Sequence, residues 1–298
     1  MNDKYRESEQ WKQINDSIIA APEQIDLSTF RSGKVNSKIS TWDPAANGVR
    51  YMKTAVYLAA LAFDQRRWDL LDRVDNRLLG APHVVHVNGR AICLDYLMAV
   101  DEAAFLDEHA GTITSVVEIG AGFGRTCHTL LSTLAGIDSY TIVDLPNCLG
   151  LSRRYLESVL PARQFAKIRF VLNTECDALP RDFDLAINID SMAEMDEGVV
   201  DAYLEWIDGH CRAFYCKNPL GKYKADAAGA VVVDNSSLSA AMRSGKLREV
   251  VDMFDSQALA AQVPAFHRAY HPTDAWQVVA SSPSVPWAFH HQALFRRG

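Results

Sequence analysis

The residues that could do chemistry begin with the segment VVEIGAGFGRT, which carries Glu118, Gly120, Gly122 and Gly124. The glycines follow a short apolar run and precede a helical one. Glycines at such a turn allow positive φ and let a nucleotide-like ligand approach the backbone closely. The next apolar run, YTIVDLP, ends in Asp144, followed by Leu145. An acid at that strand end can accept hydrogen bonds from both ribose hydroxyls of a bound adenosine. The spacing is G-x-G-x-G, whereas a dinucleotide site needs G-x-G-x-x-G with a helix N-terminus facing a pyrophosphate. Glu118, two residues before the first glycine, would repel a pyrophosphate but suits a ligand with a cationic amino-acid end. The expected cofactor is therefore S-adenosylmethionine, and the alternative is an NAD-dependent oxidoreductase on a similar fold. A third class, a catalytically dead scaffold, is disfavoured by the intact acids and glycines.

A second constellation is NIDSMAEMDE, which places Asn188, Asp190 and Glu194 at the end of another apolar run. In an open parallel sheet, ligands lie at the carboxyl ends of the strands. Asp190 and Glu194 are thus expected to meet the acceptor, taking its proton or orienting its nucleophile. Asn188 is assigned to the cofactor side. Ser191 and Glu194 also fit a capping box for the following helix. Asp196, Glu197 and Asp201 read as a solvated face. His267 is a rival base and His271 a substrate contact, flanking an expected late strand. His290 and His291 read as surface. Tyr51 is a candidate substrate contact on an amphipathic helix. His83 and His86 have the spacing of a metal pair, but nothing nearby completes a site, and no metal is expected.

These residues need elements to position them. Apolar residues at helical spacing predict helices over 49–63, 68–79 (closed by Gly80) and from 94 to about 111. Residues 22–47 are irregular, a lid or linker. From residue 115 the period changes to short apolar runs at 116–119, 140–145, 168–172, 183–189 and 213–216, separated by helical stretches at 125–134, 146–160 and 194–208. Such alternation predicts βαβ units and a parallel sheet covered on both faces. A helix at 256–261 and strands at 267–271 and 276–280 complete the reading. The fold class is α/β, a Rossmann-like doubly wound sheet (113–298) with a helical N-terminal extension (1–112).

In order and spacing, VVEIGAGFGR, YTIVDLPNCLGLSRRYL, FDLAINIDSMAEMDEGVVDAYLEWI and FYCKN resemble the sugar O-methyltransferases of actinomycete antibiotic clusters. Asp144, Leu145, Pro146, Asn188, Ser191, Glu194 and Met195 match that family's I-x-D-L-P and N-x-x-S-x-x-E-M segments. The resemblance covers roughly residues 80 to 220 and implies a class I, S-adenosylmethionine-dependent methyltransferase of antibiotic biosynthesis with a sugar-containing substrate. The sequence departs from the pattern at Asp190, where a small neutral residue is usual. An extra carboxylate there admits an amine, as in aminoglycosides, beside a hydroxyl.

Composition bounds the rest. The 298 residues are 48% hydrophobic and 22% charged with a net charge of −7, values of an ordinary globular chain. The acidic balance argues against nucleic acid, which requires a basic surface. No stretch approaches the ~20 apolar residues of a membrane span, and the polar start lacks a signal peptide's apolar region. The 6 cysteines are scattered without a Cys-x-x-Cys pair and read as reduced core residues of a cytoplasmic protein. A homodimer is the assembly considered.

Overall fold

The computed structural model describes residues 7–17, 44–223 and 241–298. Most of the expected lid or linker at 22–47 lies outside the described residues. The chain divides into two compact units, Met1–Ala55 and Val56–Gly298; residue 112 falls within the second. The first unit holds α1 (Glu9–Ser17) and the start of α2 (Pro44–Leu61), which is kinked at Asn47.

The second unit continues with α3 (Gln65–Asp72), a hairpin of β1 (Val84–Val87) and β2 (Arg90–Cys93), and α4 (Leu94–His109). Then come β3 (Ser115–Ile119), α5 (Arg125–Thr133), β4 (Ser139–Asp144), α6 (Pro146–Val159), α7 (Ala162–Phe165), β5 (Ile168–Leu172), β6 (Phe183–Ile189), α8 (Glu197–His210) and β7 (Cys211–Pro219). The described chain closes with α9 (Ser256–Tyr270), β8 (Trp276–Pro283) and β9 (His290–Arg297). A 7-stranded sheet has the order β5-β4-β3-β6-β7-β9-β8. β3 to β7 are parallel, and β9 runs antiparallel between β7 and β8. This is the expected α/β architecture, a Rossmann-like, mostly parallel sheet.

The core follows from side chains alternating across each strand. On one face Val116, Tyr140, Ile142, Leu185 and Tyr215 pack with Tyr96, Leu97 and Val100 of α4 and Leu130 of α5. On the other, Val117, Ile119, Val143, Ala186 and Phe214 pack with Val200, Leu204 and Ile207 of α8 and Phe266 of α9. Burying each large side chain contributes about 1.5–3 kcal/mol. With both faces covered, the strand ends are the surfaces left open to a ligand.

Several expected elements are corrected. The helix expected at 68–79 is the shorter α3, whose start is set by Asp64: its carboxylate caps the helix by accepting from Arg67 N–H. The strand expected at 267–271 is the end of α9, which runs through Pro264 to Tyr270. The helix expected from residue 194 begins at Glu197. Ser191 is no capping residue, because its hydroxyl donates to Ile119 C=O and accepts from Asn188 Nδ2. His290 and His291, expected at the surface, begin β9, where His291 is buried and His290 half-buried. Among the described residues, no helix is long and apolar enough to cross a membrane.

Candidate functional site

A cavity of about 260 Å³ opens at the carboxyl ends of the central strands. Glu118, Gly120, Gly122 and Asp190 line it, together with Arg125, Lys217 and His290. The site expected from separate stretches of sequence is thus partly one place. It is positioned by β3, β6 and β7, whose parallel pairing brings these strand ends side by side.

The glycine loop turns sharply between β3 and α5. Gly120 N–H donates to Val143 C=O at 2.9 Å. A Cβ on Gly120 would lie 2.2 Å from Ser191 Oγ, so the loop and the turn after β6 can touch only through glycine. Gly124 does not line the cavity; a Cβ there would meet Leu156 of α6 at 2.8 Å. Its glycine serves helix packing. Gly122 faces open space, and its N–H donates to Asp144 Oδ2 at 3.0 Å.

Asp144 is buried at the end of β4, and its other oxygen accepts from Leu145 N–H at 2.7 Å. It is absent from the cavity wall itself and joins it through Gly122. The Leu145 side chain is exposed. Since a carboxylate offers about four acceptor positions, Asp144 can hold the loop and still receive two ribose hydroxyls.

Glu118 is buried, and Tyr140 Oη donates to its Oε2 at 2.8 Å. Burial pushes its pKa up to about 7, against the opposing pull of Tyr140 and of the Arg125 charge. A cationic ligand group at this carboxylate would favour its ionised form.

Asp190 sits in the left-handed region with φ 64°, its N–H bonded to Lys217 C=O at 2.7 Å. Its side chain is 59% exposed, so an acceptor can reach it, and His290 Nε2 lies 3.1 Å from its Oδ1. Desolvation raises the Asp190 pKa, but the His290 hydrogen bond and charge, with Lys217 and Arg125 behind, hold it below the ordinary carboxylate range. Glu194 is exposed outside the cavity wall; desolvation and then the Asp190 charge push its pKa up. Asn188 is fully buried and donates to Ile119 C=O and Ser191 Oγ while accepting from Met192 N–H and Asn218 Nδ2. Those bonds fix the strand ends, and Asn188 is not among the residues that line the cavity.

The remaining candidates lie elsewhere. His267 is on α9, packed against His291 and Phe295. His271 follows that helix and meets Phe295. Neither lines the cavity. Tyr51 lies on α2, in the first unit. Sequence reading missed Arg125, Lys217, His290 and Glu102 of α4. Of these, Lys217 left a signal, a charged residue closing the apolar run AFYC.

No family model and no curated protein matches the sequence. Among solved structures, the methyltransferase domain of bacterial CtHen1-CN is similar over 66% of this chain and 96% of that one, at 15% identity and a TM-score of 0.46. The mitomycin 7-O-methyltransferase MmcR is similar over 87% and 68%, at 13% identity and a TM-score of 0.44. The glycopeptide N-methyltransferase MtfA, complexed with sinefungin, is similar over 67% and 87%, at 16% identity and a TM-score of 0.45. These are likenesses of general architecture alone.

Proposed function

We propose that the chain is an S-adenosylmethionine-dependent methyltransferase acting on a hydroxyl or amine of a sugar or aminosugar in natural-product, antibiotic biosynthesis. The observation that carries the reading is one cavity lined at once by Glu118, Gly120 and Gly122 and by Asp190. The site residues fit this cofactor: a buried carboxylate that forms no ion pair among the described residues suits its ammonium, and Gly122 faces open space beside it. When bound, the cofactor supplies an electrophilic methyl group on a sulfonium. Glu118 holds the amino-acid end, Asp144 receives the ribose hydroxyls, and Asp190 orients the acceptor. A carboxylate held ionised by His290 is a weak base, which favours an amine acceptor over a hydroxyl.

Titration calorimetry with S-adenosylhomocysteine and NAD tests the cofactor; methyl incorporation into a panel of sugars and aminosugars tests the acceptor. Binding of NAD without S-adenosylhomocysteine would sink the reading. Asp144→Ala should weaken S-adenosylhomocysteine binding at least about tenfold, through lost charge-assisted hydrogen bonds. Unchanged affinity would remove Asp144 from the cofactor site.

The Glu118 carboxyl adds a pH signature. Below its pKa of about 7 the free protein holds it protonated, so a bound ammonium must first expel that proton. Affinity for S-adenosylhomocysteine should therefore fall from pH 8 to pH 5, approaching about tenfold per pH unit. Glu118→Gln should lower the affinity at pH 8 and flatten the profile. The same variant should melt higher at pH 8. A raised acid pKa destabilises the fold increasingly from its unfolded value of 4.5 up to about 7, and glutamine has no such charge. An equally steep pH profile in Glu118→Gln would place the titrating group elsewhere.

A further inference from the structure

The turn between β8 and β9 brings to the cavity a side chain to which the reading above gives no role. Trp287 lines the wall together with Ser284 and His290, and 48% of its surface is exposed. A lone tryptophan on a surface is ordinary; this one is held in place. Ser284 N–H donates to His290 C=O at 2.9 Å, His290 N–H to Trp287 C=O at 3.0 Å and Leu220 N–H to Phe289 C=O at 2.9 Å. Phe289 is buried against Tyr223, with ring centroids 5.4 Å apart. The turn is thus anchored, while the indole is left open.

Its place in the wall says which ligand it meets. The strand order β3-β6-β7-β9 carries the wall from the glycine loop past Asp190 and Lys217 to His290 and Trp287. Asp190 stands between the glycine loop and the indole in that order. The rings of Trp287 and His290 lie 6.2 Å apart, and His290 Nε2 is 3.1 Å from Asp190 Oδ1. Indole, imidazole and carboxylate therefore follow one another along the wall, with Met98 and Ile189 adding apolar surface. The negative face of an indole attracts the partly positive C–H hydrogens of a saturated ring, and a carboxylate takes an amine. A planar aromatic ring stacks as well, but it offers Ser284, His290 and Asp190 few edge groups, whereas a sugar carries them all round. We propose that Trp287 is the platform for the acceptor and selects its class: an aminosugar ring lies with a C–H face on the indole and its amine at Asp190. The proposal rests on the functional reading above, which supplies an acceptor at Asp190.

The probes are methyl glucosaminide, methyl glucoside, which has the ring without the amine, and benzylamine, which has an amine on a planar ring. Each is titrated by ligand-observed NMR into the full chain saturated with S-adenosylhomocysteine, whose own binding is followed by calorimetry. Wild type should bind the glucosaminide about threefold or more tighter than the glucoside. Trp287→Ala should weaken both sugars about fivefold, and Trp287→Phe, which keeps an aromatic face, should stay within about twofold of wild type. Asp190→Asn should instead erase the preference for the amine and leave the glucoside unchanged. Trp287 is exposed, so its variants should keep the wild-type melting temperature, which reports folding. Unchanged sugar affinity in Trp287→Ala, or no sugar binding to wild type, would overturn the proposal, while S-adenosylhomocysteine binding keeps the functional reading. Benzylamine bound more tightly than either sugar, and lost in Trp287→Ala, would overturn the sugar and assign the platform to a planar acceptor. Failure of S-adenosylhomocysteine to bind would overturn both readings.

Discussion

Asp190→Asn should lower turnover by about 10²–10⁴, the range for a positioned acid or base, and leave S-adenosylhomocysteine affinity within about twofold. The substitution is chosen on backbone grounds. Asp190 has φ 64°, a region where asparagine is comfortable and alanine is strained. Asparagine keeps an oxygen that can accept from His290 Nε2, so the turn after β6 survives and only the charge and the basic lone pair go. The cofactor elements, on β3 and β4, are left intact. The measurement is initial rate on whichever acceptor of the panel turns over, with cofactor affinity as control. Wild-type turnover in the variant would make Asp190 a turn residue. Rate against pH discriminates the acceptor further. An amine must arrive neutral, so the rate climbs with pH until the bound amine has lost its proton; a hydroxyl acceptor follows the base instead.

The glycine loop and its acids were legible in sequence because strand, loop, helix, strand and acid follow one another within 115–144, and local pattern suffices to order them. Asp190 was legible because it closes the apolar run of β6. The partners of these residues were not. His290 lies 100 positions from Asp190, and Lys217 lies 115 from Glu102. Their meeting depends on β9 inserting antiparallel between β7 and β8 and on α4 covering the sheet, which no local period encodes. His267 is a candidate base in sequence because it flanks a strand expected at 267–271, whereas the segment is the end of α9, which runs through Pro264. The helix absorbs that proline, and His267 is half-buried beside His291. Ser191 and Glu194 had the spacing of a capping box, but the Ser191 hydroxyl is engaged by Asn188 and Ile119.

Glu102→Ala should destabilise the fold by about 3–5 kcal/mol, the cost of breaking a buried ion pair from one side. At this size that corresponds to a fall in melting temperature on the order of 10 °C. Glu102 is 1% exposed, and its removal would leave Arg125 and Lys217 without the carboxylate that pairs them both. Lys217→Met should cost much less, because Arg125 continues to neutralise Glu102. The double variant Glu102→Ala/Lys217→Met then tests the network as a cycle. If the two cations repel once Glu102 is gone, removing Lys217 should recover part of the loss, with a coupling of about 0.5–3 kcal/mol. Additive losses would mean that water or a side-chain movement relieves the cations and that Glu102 matters for packing alone.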